Sequence, residues 1–177
     1  MSSAASVTGM RLEPFTHVHV PLLGELLGDP DTLRFTRIPE PPGDDFAADW
    51  ARRYEAGRRD GTKEGFAALD DDGRLLGLAL VPTIERDEGQ AELGYMVAPS
   101  ARGRGVATAI LKQLTEWAFA QGIERCELVI SAGNTGSERV AERAGYVREG
   151  TLRSIHLKQG KRENVTIWSR LPADPAP

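Results

Sequence analysis

One cysteine, Cys126, stands in a chain of 177 residues, which excludes an internal disulfide and a cysteine-rich metal site. Such sparing use suits a reducing cytoplasm, and a cytoplasmic location is expected. The three histidines are scattered without ligand spacing, so no metal is expected. A basic excess is also missing. Lys and Arg number 22 against 26 Asp and Glu, a net charge of -4 that offers no general footprint for nucleic acid. That sign is compatible with an amine or cationic substrate. Long apolar runs are absent. Met1 to Gly9 is small and polar, without the apolar centre of a signal peptide, and no run is long enough to span a bilayer, so no membrane partner is expected. No internal repeat is visible.

What is present is a globular composition, 40% hydrophobic and 27% charged, in a chain long enough to bury a core without staples. One domain over residues 11–171 is expected, between a flexible N-terminus (1–10) and a disordered tail (172–177). Hydrophobic periodicity predicts a strand at Arg11 to Phe15 and a helix from about Val18 to Leu27, its apolar side formed by Leu22, Leu23, Leu26 and Leu27 and its end marked by Gly28-Asp29-Pro30. The proline-rich stretch Thr36 to Asp45 reads as a loop or broken helix, and a second helix follows with Phe46, Trp50 and Tyr54 at four-residue spacing. Gly65 to Leu69 and Leu75 to Val81 flank Asp70-Asp71-Asp72-Gly73, which reads as an acidic hairpin turn, since no further ligands follow at calcium-loop spacing.

The most informative stretch is Val97 to Ile110. An apolar strand with Leu93, Tyr95 and Val97 on one face, and Glu92, Gly94 and Met96 on the other, ends at Pro99. A basic turn spaced by Gly103 and Gly105 follows and runs straight into a helix carrying Ala107, Leu111, Leu114 and Ala118 at helical spacing. Two glycines permit a tight turn and close approach, and the first turn of a helix leaves N–H donors without intrahelical acceptors. With the positive end of the helix dipole, these suit a phosphate or pyrophosphate. A P-loop would need Gly-Lys-Ser/Thr, and Gly105 is followed by Val106-Ala107. A dinucleotide fingerprint would need a small residue where Thr108 stands. Further on, a short strand from Glu127 to Ile130 buries Cys126 and Leu128, Asn134 starts a helix ended by Ala144-Gly145, and two strands at about Val147 to Leu157 and Glu163 to Leu171 close the chain. The order β-α-α-β-β-β-α-β-α-β-β implies a central twisted mixed β-sheet, an α/β fold with helices on both faces.

The run Arg102-x-x-Gly105-x-Ala107 after an apolar strand resembles the acetyl-CoA pyrophosphate loop of the GNAT N-acetyltransferases, and the element order resembles their fold from Arg11 to Leu171. The run Asn134-Thr135-Gly136-Ser137, continuing through Val140 and Glu142-Arg143 to Gly145-Tyr146, is similar to a pattern of the RimJ/RimL branch, which acetylates protein N-termini. The opening Arg11-Leu12-Glu13-Pro14-Phe15 and the closing Gly160-Lys161-Arg162-Glu163-Asn164-Val165 are similar to that branch too.

The resemblance implies acetyl-CoA as cofactor, an amine acceptor such as a protein N-terminus, and a homodimer of the kind common among relatives. It implies that the backbone N–H groups of Arg102, Gly103, Arg104, Gly105, Val106, Ala107 and Thr108 hold the pyrophosphate. Val97 would pair with pantetheine, its N–H polarising the thioester carbonyl. Side chains of Arg102 and Arg104 can also be merely exposed. Acyl transfer needs an uncharged amine and a proton for the departing thiolate. Glu92 is the candidate for the first task, its alternative being to bind the ammonium or a local cation. Many GNAT enzymes carry a tyrosine seven residues after the asparagine, where this chain has Ala141, which shifts the second task to Ser137. Asn134 fits a cofactor contact and equally a helix N-cap. A small-molecule amine acetyltransferase and a non-catalytic acyl-CoA sensor are the alternatives.

Overall fold

The computed structural model describes residues 9–177, so most of the expected flexible N-terminus lies outside the described residues. In chain order, β1 (Arg11–Pro14) leads through a short 3-10 turn to α1 (Gly24–Leu27), α2 (Pro30–Phe35) and α3 (Phe46–Asp60). Then come β2 (Glu64–Leu69), β3 (Leu75–Glu85), β4 (Gln90–Val97) and α4 (Val106–Ala120). The chain ends with β5 (Arg125–Ser131), α5 (Thr135–Arg143), β6 (Val147–Lys158) and β7 (Lys161–Arg170). All seven strands form one sheet in the order β1-β2-β3-β4-β5-β7-β6. It is mixed because β4 and β5 run parallel while the other neighbours are antiparallel.

Side-chain alternation along β2 puts helices on both faces. A Cβ built at Gly65 would meet Tyr54 of α3, whereas the next residue, Phe66, packs edge-on against Trp117 of α4 at 5.5 Å between ring centroids. Consecutive strand residues point to opposite faces, so α3 and α4 sandwich the sheet. The predicted Phe46, Trp50 and Tyr54 stripe forms an aromatic stack with Phe15, while α4 buries Ile110, Leu111, Leu114 and Ala118 completely. Ala107, at the helix start, is half-buried instead.

The region before α3 departs from expectation. The predicted helix from Val18 to Leu27 is broken: Pro21 sits within the 3-10 turn His17–Leu22, the phase shifts, and Leu22 faces solvent while Leu23 and Leu26 are buried. Gly28-Asp29-Pro30 ends one helix and begins another. Asp29 is the N-cap of α2, its carboxylate accepting the Thr32 N–H at 2.8 Å, and Pro30 takes the first helical position where its missing N–H costs nothing. The same three residues are therefore a stop signal and a start signal.

The acidic hairpin turn is built from its own aspartates: Asp70 Oδ1 accepts the N–H groups of Asp72 and Arg74 at 3.0 and 2.8 Å. Beyond β7, Arg170 donates to the Gly145 and Pro175 carbonyls, and the Leu171 N–H donates to Asp174. No described helix is long and apolar enough to cross a membrane.

Candidate active site

The site arises where two neighbouring strands stop pairing. β4 and β5 are in register over Gln90 to Glu92 against Arg125 to Glu127, and no further. Past that point Leu93–Val97 of one strand and Leu128–Ser131 of the other become opposite walls of a cleft of about 830 Å³. The Ala98 N–H bonds to the Leu76 carbonyl at 2.9 Å, and Val97 lies opposite Gly77. Antiparallel pairs alternate between hydrogen-bonded and non-bonded, so the Val97 N–H and C=O point away from β3 and toward the opened side. A backbone donor in a splayed sheet is what an extended ligand needs to add itself as a strand.

At one end of this cleft lies the glycine turn. Gly103 and Gly105 have φ of +75° and +81°, a left-handed backbone that other residues rarely adopt. The first α4 hydrogen bond runs from the Ala109 N–H to the Gly105 carbonyl at 3.0 Å. The N–H groups of Val106, Ala107 and Thr108 are therefore without intrahelical acceptors, and no side chain caps them. With the dipole of a 15-residue helix behind them, they form a cradle for negatively charged oxygens.

The two arginines of the turn do not extend into the cradle. Arg102 forms an ion pair with Asp29, donates to Thr32 Oγ1 at 3.1 Å and reaches the Val97 carbonyl from Nε at 3.3 Å. It ties the turn to the N-terminus of α2 and to the end of β4. Hydrogen bonds from Arg102 and Thr32 hold the Asp29 carboxyl below its ordinary value despite the opposing effect of burial. Arg104 donates to the Ser100 carbonyl at 2.8 Å and is absent from the cleft wall.

Val97, Arg102, Gly103, Gly105, Val106, Ala107, Thr108, Asn134, Ser137 and Glu92 all line the one cleft. Asn134 is the N-cap of α5, its Oδ1 accepting the Ser137 N–H at 3.1 Å. This uses one end of its amide and leaves the Nδ2 donors. Ser137 is half-buried one turn into the helix, and Ala141 is fully buried.

Glu92 sits at the last position where β4 pairs with β5, three-quarters shielded from solvent. Burial pushes its carboxyl up, and the neighbouring Glu127 adds to this, while Arg37 and Lys63 oppose it. Arg37 is a loose partner at 3.4 Å from Glu92 Oε1, and its Nε donates to His156 Nε2 at 3.0 Å. Burial lowers the His156 pKa, consistent with the neutral ring that this hydrogen bond requires.

Arg37, His156 and Tyr95 are site residues that sequence reading missed. Arg37 lies in the proline-rich loop without periodicity, and His156 is 119 positions away on the edge strand, so only the fold joins them. Tyr95 reads as a core residue by alternation, yet it lines the cleft and donates from its hydroxyl to the Ser137 carbonyl at 3.4 Å. Cys126, by contrast, is fully buried, and burial raises its thiol to about 12, so it is an inert filler.

Comparison with known proteins bears on these features. The family described as "Acetyltransferase (GNAT) domain" matches residues 10–147. A Bacillus subtilis protein, YdaF, provisionally named as a ribosomal N-acetyltransferase, is 30% identical over 142 residues, which are 80% of this chain and 70% of that protein. The Escherichia coli ribosomal-protein-serine acetyltransferase is 29% identical over 99 residues, 55% of each chain. Among solved structures, RimL, a ribosomal L7/L12 alpha-N-protein acetyltransferase in complex with coenzyme A, superposes with a TM-score of 0.84 at 20% identity, covering 94% of this chain and 96% of the other. A spermidine N-acetyltransferase from Vibrio cholerae, in complex with CoA and spermine, gives 0.82 at 19% identity, covering 94% and 98%.

Proposed function

The chain belongs to the GNAT acetyltransferase family and is an acetyl-CoA-dependent N-acetyltransferase, and on that premise we propose that its acceptor is the α-amino group of a protein or peptide. The observation that carries this reading is the charge of the cleft. Among the described residues its acidic lining is Asp31 and Glu92, and Asp31 faces Arg102 at 3.9 Å. Arg37, Arg53, Arg102 and Arg143 line the same space. A polyamine carries several positive charges and needs a carboxylate for each, whereas this cleft offers one available carboxylate among arginines. An N-terminal amine brings one charge and a neutral backbone behind it. The ribosomal-protein relatives support the same choice.

The cradle fits a pyrophosphate: three uncapped N–H groups, two left-handed glycines and no intruding side chain. When bound, acetyl-CoA supplies a thioester carbon open to attack by an uncharged amine, with CoA leaving as the thiolate. The N–H groups of Val106, Ala107 and Thr108, with those of the glycine turn beside them, would hold the phosphates, whereas the expected Arg102 N–H is already donated to the Pro99 carbonyl at 3.3 Å, and Asn134 keeps Nδ2 for a further contact. The Val97 N–H, unused by β3, is placed to donate to an oxygen that gains negative charge during attack. Glu92 takes the proton of the acceptor ammonium, and its raised proton affinity brings it nearer the working pH. Ser137 Oγ holds the proton that the departing sulfur requires.

Release of free CoA thiol, measured over a panel of N-terminal peptides, spermidine and aminoglycosides, tests the acceptor. Turnover with peptides is expected. Turnover with polyamines or antibiotics, and none with peptides, would discard the N-terminal reading.

A further inference from the structure

Behind the main cleft lies a smaller recess of about 250 Å³, and Arg37 and His156 line both cavities. Arg37 is held at this junction by contacts spanning more than a hundred positions of sequence. Its Nε donates to His156, and the backbone on either side of it is fastened by Lys158 Nζ, which donates to the carbonyls of Thr36 and Ile38 at 2.8 and 2.7 Å. Gln159 adds a bond to Glu40 at 2.6 Å. The loop that carries Arg37 is thus clamped to the β6–β7 turn.

The guanidinium itself is under-used. Its Nε is occupied by His156, its nearest carboxylate is the loose contact to Glu92, and its side chain is 60% exposed. That leaves the outer edge of a planar fork whose geometry matches a carboxylate. Arg53, on the wall of the main cleft, has no carboxylate partner among the described residues and instead stands 5.8 Å over the Phe46 ring. The two carboxylates of the recess, Glu40 and Glu163, line the recess and not the main cleft from which an acceptor reaches Arg37.

Arg37 lies 3.4 Å from Glu92 on the same cleft wall, so the residue that follows an amine resting on Glu92 is within its reach. We infer that Arg37 recognises an anionic group close behind the accepted amine, so that the enzyme selects N-termini whose second residue is Asp or Glu. This rests on the N-terminal reading above and refines it. It also has a catalytic consequence. An anion that draws Arg37 away from Glu92 removes the cation that opposes the raised proton affinity of this carboxylate, so the right acceptor makes Glu92 a better base.

The test uses three peptides identical except for Asp, Ala or Lys at the second position, with kcat/KM read from CoA thiol release. Wild type should prefer Asp over Lys by roughly tenfold or more, the size of one charge-assisted hydrogen bond. In Arg37→Gln the three values should converge, and in Arg37→Glu the order should reverse. The ratio between peptides does not depend on how much folded enzyme each preparation holds, and Arg37→Gln answers the question even if the charge reversal fails to fold. Equal values in wild type, or a preference for Asp that survives both substitutions, would overturn the inference while leaving N-terminal acetylation standing. Turnover of free amines with no peptide accepted would overturn both.

Discussion

Asp29 is the residue whose replacement best separates the parts of this site. Its carboxylate caps α2, accepting the Thr32 N–H and Thr32 Oγ1 at 2.8 Å each, and it also anchors Arg102, which in turn holds the Val97 carbonyl. Asp29→Ala removes both functions. Loss of an N-cap costs about 1 kcal/mol. The ion pair, with Arg102 37% and Asp29 12% exposed, contributes up to about 1 kcal/mol more, the upper end for pairs in contact with water. A total of about 2 kcal/mol in a chain of this size lowers the melting midpoint by roughly 4–8 °C. Asp29→Asn keeps a capping oxygen and loses the charge, so it should recover about half of that. The pH dependence has a definite sign. A carboxyl held below its ordinary value stabilises the fold above the unfolded aspartate range and loses that contribution as pH falls through the depressed value. Circular dichroism melts should therefore show the gap between wild type and Asp29→Asn narrowing below about pH 4. Calorimetry should show several-fold weaker acetyl-CoA binding by Asp29→Ala, because Arg102 no longer positions the turn. An Asp29→Ala protein that melts with wild type would refute the latch, and unchanged cofactor affinity would separate it from the cradle.

Three further outcomes follow from the same geometry. Glu92→Gln should reduce kcat/KM at neutral pH by about 10²-fold or more and shift its acid limb up to the titration of the acceptor amine itself, which must then lose its proton to water before attack; an acid limb unchanged in position excludes Glu92 as the base. Ser137→Ala should lower kcat by roughly 10²-fold while leaving acetyl-CoA affinity near wild type, and an unaltered kcat removes Ser137 from the acid role. Gly105→Ala forces a side chain into φ of +81°, at a cost of about 1–2 kcal/mol, and should weaken acetyl-CoA binding far more than it slows the bound complex; equal loss in both would mean that the turn acts in the chemistry and not in capture.

The features legible in the sequence are those written in local code. Gly103 and Gly105 announce a left-handed turn because few other residues tolerate one, the spacing of Leu111, Leu114 and Ala118 sets the buried face of α4, and Asn134 marks a helix start by its chemistry. The cradle, the element order and the family could be read from such signals. Pro21 and Asp29-Pro30 show where local code misleads: punctuation that ends one helix can begin the next, and which reading holds depends on what caps the new turn.

Tertiary structure decided the rest. The sequence places Glu92 on a strand, but only the parting of β4 and β5 makes a cleft beside it, and that parting depends on how many residues two distant strands pair. The Arg102 side chain reads as merely exposed until Asp29, 73 residues earlier, is found holding it. Arg37 carries no periodicity or motif of its own, because its setting comes from His156 and Lys158, brought to it by a sheet edge and not by any neighbour in the chain. Local propensity can specify a turn or a helix end; the cleft wall around Arg37 is held by contacts between segments more than a hundred residues apart, which exist only once the sheet has formed.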